Sequence, residues 1–219
     1  MKKFLSLVAF AISVAAFGQV ITPEDDGLIP RSDIHFANTR VVPYPFLRQD
    51  DMMWSTRHWE RIHVQEKLNH PLYYPVVPLP DRKSMFDVLK DAIMTEGSIR
   101  EVYRDDLFEM YLTPQEVAQI LIRVDTLRDP DDPSVILAVD SIELKAPNVI
   151  AWEIKSDWYF DKQRGEMKSR IIGLSPVVKD PQTSEIYNIF WIWFPDARQA
   201  LSTNIAYNPE NNTRRLTFD

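Results

Sequence analysis

The chain has 219 residues, 45% apolar and 26% charged, with 6 Trp, a composition that fits one globular domain with or without a tail and argues against a mostly disordered chain. Its 5 glycines, with no GxGxxG run and no P-loop, disfavour a phosphate cradle, and its lack of cysteine excludes disulfides, thiolate metal sites and a Cys nucleophile. A formal net charge of −7 disfavours a nucleic-acid partner.

The first segment reads as an address. Lys2 and Lys3 precede an apolar run from Phe4 to Phe17, and small residues Ala16 and Gly18 stand at −3 and −1 of a cut before Gln19. That is the pattern of a secretory signal peptide over residues 1–18, with cleavage between Gly18 and Gln19. It implies work outside the cytoplasm, and with no Cys at the cut the mature chain carries no lipid there.

Residues 19–48 hold Pro23, Pro30, Pro43 and Pro45 and show no periodicity. They read as a proline-rich arm, either a flexible tail or an extended strap laid on a neighbour. Val41, Val42, Tyr44, Phe46 and Leu47 are its apolar anchors. Asp50 to Leu68 is expected to be a helix, from the acidic start and the spacing of Met52, Trp59 and Ile62. The proline-dense stretch Pro71 to Pro80 follows as an extended connector, with Tyr73 and Tyr74 free to pack.

Ser84 and Asp87 fit a capping box, and Phe86, Leu89 and Ile93 make one face of a helix over Ser84–Thr95, ended near Gly97. Thr113-Pro114-Gln115-Glu116 is a second helix start, with a run predicted to about Leu127. Val135–Leu144 and Ile150–Asp161 predict strands. In the latter, Ile150, Trp152, Ile154, Trp158 and Phe160 share the parity expected to be buried, and Ala151, Glu153, Lys155, Asp157, Tyr159 and Asp161 the parity expected to be wet. Lys162–Gly165 is expected to turn the chain into a return strand, Met167–Val178, with a bulge where the parity changes at Ile171-Ile172. From Ile189 to Phe194 both parities are apolar, so something must cover each face: helices on one, and the arm, another protein or more of the same domain on the other.

Candidate chemistry is thin. His58 and His63 are five apart and do not share a helix face; Asp129, Asp131 and Asp132 lack an EF-hand pattern. Glu153 with Asp157 or Asp161 could in principle serve glycoside hydrolysis, but their alternation with Lys155 reads as cross-strand ion pairing. No GxSxG elbow supports a triad. No catalytic, cofactor or metal residue is assigned. The surplus is aromatic: Trp54, Trp59, Tyr73, Tyr74, Trp191 and Trp193, with Tyr44 and Phe46 of the arm, are candidates for core, for a sugar-stacking platform or for protein-interface anchors.

Several ordered blocks carry a family resemblance. Met53-Trp54-Ser55 with Arg57 and Trp59, Glu66 through Pro75, Asp157 through Arg164, Arg170 through Pro176, Phe190 through Arg198 and Tyr207-Asn208-Pro209 resemble the GldN/PorN family. The resemblance runs from about Met52 to Asp219 and is weakest from about Leu127 to Pro147. It implies a non-enzymatic periplasmic subunit of the Bacteroidetes type IX secretion and gliding-motility machinery. Such a subunit assembles with a GldK/PorK-type lipoprotein into a ring beneath the outer membrane and contacts the GldM/PorM-type motor component. No catalytic residues come with it. Family members continue past the block resembling Arg214–Asp219, so residues 49–219 are expected to form an α+β assembly domain shortened at its C-terminal end. The expected fold is an antiparallel sheet packed with several helices, preceded by the arm; a periplasmic carbohydrate-binding module is the alternative.

Overall fold

A long antiparallel hairpin organises the fold: β6 (Val149–Asp161) and β7 (Glu166–Lys179) pair from Val149↔Val178 to Asp161↔Glu166. Its turn is Lys162–Gly165, where Gly165 adopts φ +66°, a conformation that glycine takes without a Cβ clash. Both turn and return strand agree with the sequence reading, and so does the bulge. Lys155 pairs with Gly173 and Ser156 with Ile171, leaving Ile172 as the extra residue. The structure, a computed structural model, describes residues 40–79, 82–128, 136–181, 183–210 and 216–219. The expected signal peptide with Gly18 and Gln19, arm residues 19–39 and the turn at Asp129–Pro133 lie outside the described residues.

The hairpin lies in a seven-stranded sheet whose strand pairs are all antiparallel. The strands added to it are β1 (Met52–His63), β2 (Val102–Tyr103), β3 (Tyr111–Leu112), β8 (Ile186–Asn188) and β9 (Trp191–Trp193). The order is β1-β6-β7-β9-β2-β3, with β8 also on β7. Two ribbons stand apart from it: β4 (Ile122–Arg128) with β5 (Ile136–Glu143), and β10 (Ile205–Ala206) with β11 (Leu216–Thr217).

Four helices among the described residues complete an α+β fold: α1 (His70–Tyr73), α2 (Met85–Met94), α3 (Pro114–Leu121) and α4 (Phe194–Thr203). One parity of the sheet, Ile154, Leu174, Ile192, Val102 and Leu112 in cross-strand register, faces the core. Leu174, Ile192, Val102 and Leu112 are buried there with Trp152 of β6, Phe86, Leu89 and Ile93 of α2, Val117 and Leu121 of α3, and Ala197 and Leu201 of α4.

The starts of α2 and α3 are as predicted. Thr113 and Glu116 form a reciprocal capping box, whereas the box expected at Ser84 is one-sided: Ser84 Oγ accepts from the Asp87 amide at 3.1 Å, but the Asp87 carboxylate accepts from the Ser84 hydroxyl at 2.8 Å and does not reach back to the Ser84 amide. The end of α3 is a correction: the helix stops at Leu121, and Ile122–Arg128 turn into a strand pairing with β5 rather than continuing to Leu127. Ile122, Val124 and Thr126, β-branched at every second position, compete with helical continuation, and the pairing with β5 takes the segment into a strand.

The larger correction is at Asp50–Leu68. This segment is not a helix but a short 3-10 turn, Gln49–Asp51, followed by the twelve-residue strand β1. Three apolar residues at helical spacing suggested a face. The segment is instead held by pairing with β6, a hundred residues away, through Arg57↔Asp157 and Arg61↔Glu153 in direct register. Most of its side chains are exposed, so no burial alternation marks it as a strand.

Candidate interaction surface

The second face of the sheet is built around one cross-strand row: Trp59 of β1, Lys155 of β6, Gly173 of β7 and Trp193 of β9. The loop between β2 and β3 folds onto this row. Its Phe108 adopts φ +60°, an uncommon conformation for a bulky residue, and sits over Gly173. The Phe108 ring meets Trp193 edge-on at 5.0 Å, Trp191 at 6.4 Å and Tyr103 at 5.1 Å. This loop packs on Trp191 and Trp193 of the second apolar face of Ile189–Phe194, while Ile189 joins the main core, so that cover comes from the same domain. Trp191 is 6% exposed, and burying such a ring contributes roughly 5 kcal/mol as an upper estimate.

Lys155 corrects the expected wet parity of β6. It is buried, and its Nζ donates to the Asp106 main-chain oxygen and stands 3.4 Å from the Asp106 carboxylate. The ammonium also lies 5.2 Å from the Phe108 ring and 5.6 Å from that of Trp59, both within cation–π range. Trp59 Nε1 donates to the same Asp106 carboxylate at 3.1 Å. Ala151, Tyr159 and Asp161, of the same parity, are buried too, whereas Trp158 and Phe160, of the parity expected to be buried, are only half-buried. Asp161 accepts from the Gln163 and Arg164 amides and from the Arg164 guanidinium at 2.6 Å, which hold its carboxyl below the usual range.

The three carboxylates considered for hydrolysis are thus each engaged. Asp157 takes a bidentate contact from Arg57 at 2.7 and 2.8 Å, which lowers its pKa. Glu153 accepts from Arg61 at 3.0 Å and Asn188 at 2.8 Å. Among the described residues no cluster of His, Asp and Glu has metal-binding geometry.

The arm lies along its own domain over its described residues. Arg198 donates to the Val42 carbonyl at 2.9 Å and Arg170 to that of Pro45 at 2.6 Å. The Tyr44 ring has both guanidiniums against it, Arg198 at 4.5 Å and Arg170 at 5.3 Å. Arg198 is fixed in turn by Asp219 at 2.6 and 2.9 Å.

The aromatic candidates therefore separate into groups. Tyr73 and Tyr74 pack edge-on at 5.1 Å, Tyr73 against the core and Tyr74 against His70 and Tyr207. Trp191 and Trp193 pack with Phe108. Phe46, Trp54 and Trp59 stay open to solvent, at 80%, 48% and 52%. Trp54 and Trp59 have opposite parity on β1 and so leave opposite faces of the sheet. On the Trp54 side, Phe160 is its cross-strand neighbour, Met167 follows, and His58 meets Trp158 edge-on at 6.3 Å. Sequence reading missed Phe108, Lys155, Arg170 and Arg198 as organisers; the isolated Gly173 in a strand was the one available sign of a close approach.

The described residues thus form an α+β domain with a long edge strand that carries exposed aromatic side chains on both of its faces. The chain belongs to the GldN family: the family described as gliding motility associated protein GldN matches residues 47–219. Membership associates it with gliding motility. No curated protein matches it. Among the described residues no helix is long and apolar enough to cross a membrane.

Proposed function

We propose that the chain is a non-enzymatic periplasmic structural subunit that assembles with a GldK/PorK-type outer-membrane lipoprotein into the ring of the type IX secretion and gliding-motility machinery. It also contacts the GldM/PorM-type motor component. The family match over residues 47–219 carries this reading. The basic, apolar and small-residue order of residues 1–18 supports export to the periplasm. The solvent-exposed Phe46, Trp54 and Trp59 supply the kind of side chain that anchors protein contacts. Of the other aromatic candidates, Trp191 is buried and Tyr44 and Tyr74 are partly exposed.

The carbohydrate-binding alternative is weaker. Trp54 and Trp59 leave opposite faces of β1, so they form no single stacking platform for one sugar chain. An in-frame deletion in the bacterium that encodes the chain tests the reading. Loss of spreading motility and of protein export, restored by the intact gene, is expected. Normal export and motility in the deletion strain would overturn it.

A further inference from the structure

The loop between β2 and β3 turns one side chain inward and its neighbours outward. Phe108 fills the notch at Gly173 in a left-handed conformation that a bulky residue rarely takes, and Lys155 holds the Asp106 main-chain oxygen. Around this anchor Trp59, Leu107, Met110 and Tyr111 stand 52%, 64%, 51% and 62% exposed. They belong to one patch. Trp59 donates to the Asp106 carboxylate, the Arg104 amide donates to the Met110 carbonyl at 2.9 Å, and the Tyr111 ring packs on Tyr103 at 4.9 Å. Large apolar side chains shown to water on a pinned loop make a preorganised contact surface, which loses little freedom when a partner arrives.

The charge beside this patch is one-sided. Residues 101–111 hold four acidic residues and one basic one. Lys155 answers Asp106, but among the described residues no salt bridge reaches Glu101, Glu109 or Asp196, the last in the first turn of α4. Glu101 accepts from the Tyr103 hydroxyl at 2.8 Å. Burial and the nearby Glu101 charge together hold the Asp196 carboxyl above the usual range, the mark of like charges gathered without a cation between them. We infer that this loop docks a segment of another protein that carries lysine or arginine beside a large apolar side chain. Apolar anchors bordered by uncompensated carboxylates complement such a segment and repel an anionic lipid surface. Among the described residues no group of His, Asp and Glu could hold a metal ion there instead. This deepens the assembly reading above, on which it rests, by giving the chemistry of one partner contact.

Photo-crosslinking of the full chain, in the bacterium that encodes it, tests the inference. A benzophenone side chain replaces Met110, and the crosslinked peptides are sequenced by mass spectrometry. The same group in place of Leu68, exposed in the turn Lys67–Asn69, reports random collision. The expected result is a crosslink from the Met110 position to a segment of another protein that has net positive charge and a large apolar residue, at a yield at least about fivefold above the Leu68 position. Glu101→Gln with Glu109→Gln should cut that yield about fivefold and leave the melting temperature unchanged. Glu60→Gln with Glu66→Gln, both exposed elsewhere on the surface, should leave the yield as it was. No protein crosslink above the Leu68 control, a crosslink only to copies of this chain, or one to a neutral or acidic segment overturns the inference, and so does an equal loss from the two pairs of substitutions. The expected crosslink in cells whose motility and export survive deletion of the gene overturns the assembly reading alone. Loss of both functions on deletion, with no crosslink from the Met110 position, overturns this inference alone.

Discussion

Phe108 occupies the space that a side chain at Gly173 would fill: a Cβ on Gly173 would lie 2.4 Å from Phe108 Cζ and 3.2 Å from the Ile192 carbonyl oxygen. The notch in β7 and the left-handed turn at Phe108 therefore belong to one device, which seats the β2–β3 loop on the sheet. Gly173→Ala is expected to destabilise the domain by about 1–3 kcal/mol through overpacking. In a Phe108→Ala background the same substitution should cost markedly less, as a double-mutant cycle by chemical denaturation would read. Additive costs would mean that the two residues do not share the space.

Lys155 ties that loop to β6 through the Asp106 main chain. Lys155→Ala leaves the Asp106 oxygen and the two rings without their cation and opens a cavity, so a loss of about 2–4 kcal/mol is expected. Amide exchange should accelerate first in residues 104–110 and only later in β6 and β7. Uniform acceleration would contradict the loop-latch account.

The Arg57–Asp157 pair makes the attachment of β1 acid-sensitive. Arg57 holds the Asp157 pKa below its ordinary value of about 4. For a carboxyl lowered in the folded state, the stabilisation is complete above the ordinary pKa and is lost as pH falls through the lowered one. Both side chains are partly exposed, so the contribution is about 0.5–1 kcal/mol. Asp157→Asn should lower stability at neutral pH by that amount and flatten the loss below about pH 4, measured as melting temperature against pH.

Tyr44→Ala removes the ring that both Arg170 and Arg198 face. Each contact of this kind contributes about 0.5–1 kcal/mol at an exposed site. Limited proteolysis should then cut faster within residues 40–48, while the transition of the sheet and helices persists. Loss of the whole transition would make the arm part of the core instead.

What the sequence disclosed was local. Ser84 and Thr113 announce their helices because caps lie within four residues of the groups they satisfy. The β6–β7 hairpin is readable from alternation, a glycine turn and a parity slip at Ile171-Ile172. β1 was not readable, because its stability comes from distant partners such as Asp157 and Glu153 while most of its own side chains remain in water. The same holds for the buried Lys155: in sequence it looks like one charge of an alternating wet face, and only the returning β2–β3 loop covers it. Open aromatic side chains at Phe46, Trp54 and Trp59 were foreseeable as candidates, but their exposure, set against the burial of Trp191, required the fold.

We propose that this GldN-family chain is a building block of a larger assembly. The most direct test is co-expression with the GldK/PorK-type lipoprotein encoded in the same genome, followed by size-exclusion chromatography with light scattering. The expected result is co-elution as a complex far larger than a one-to-one pair, reduced when Phe46 and Trp54 are both changed to Ser. A chain that elutes apart from the lipoprotein under all conditions would contradict it.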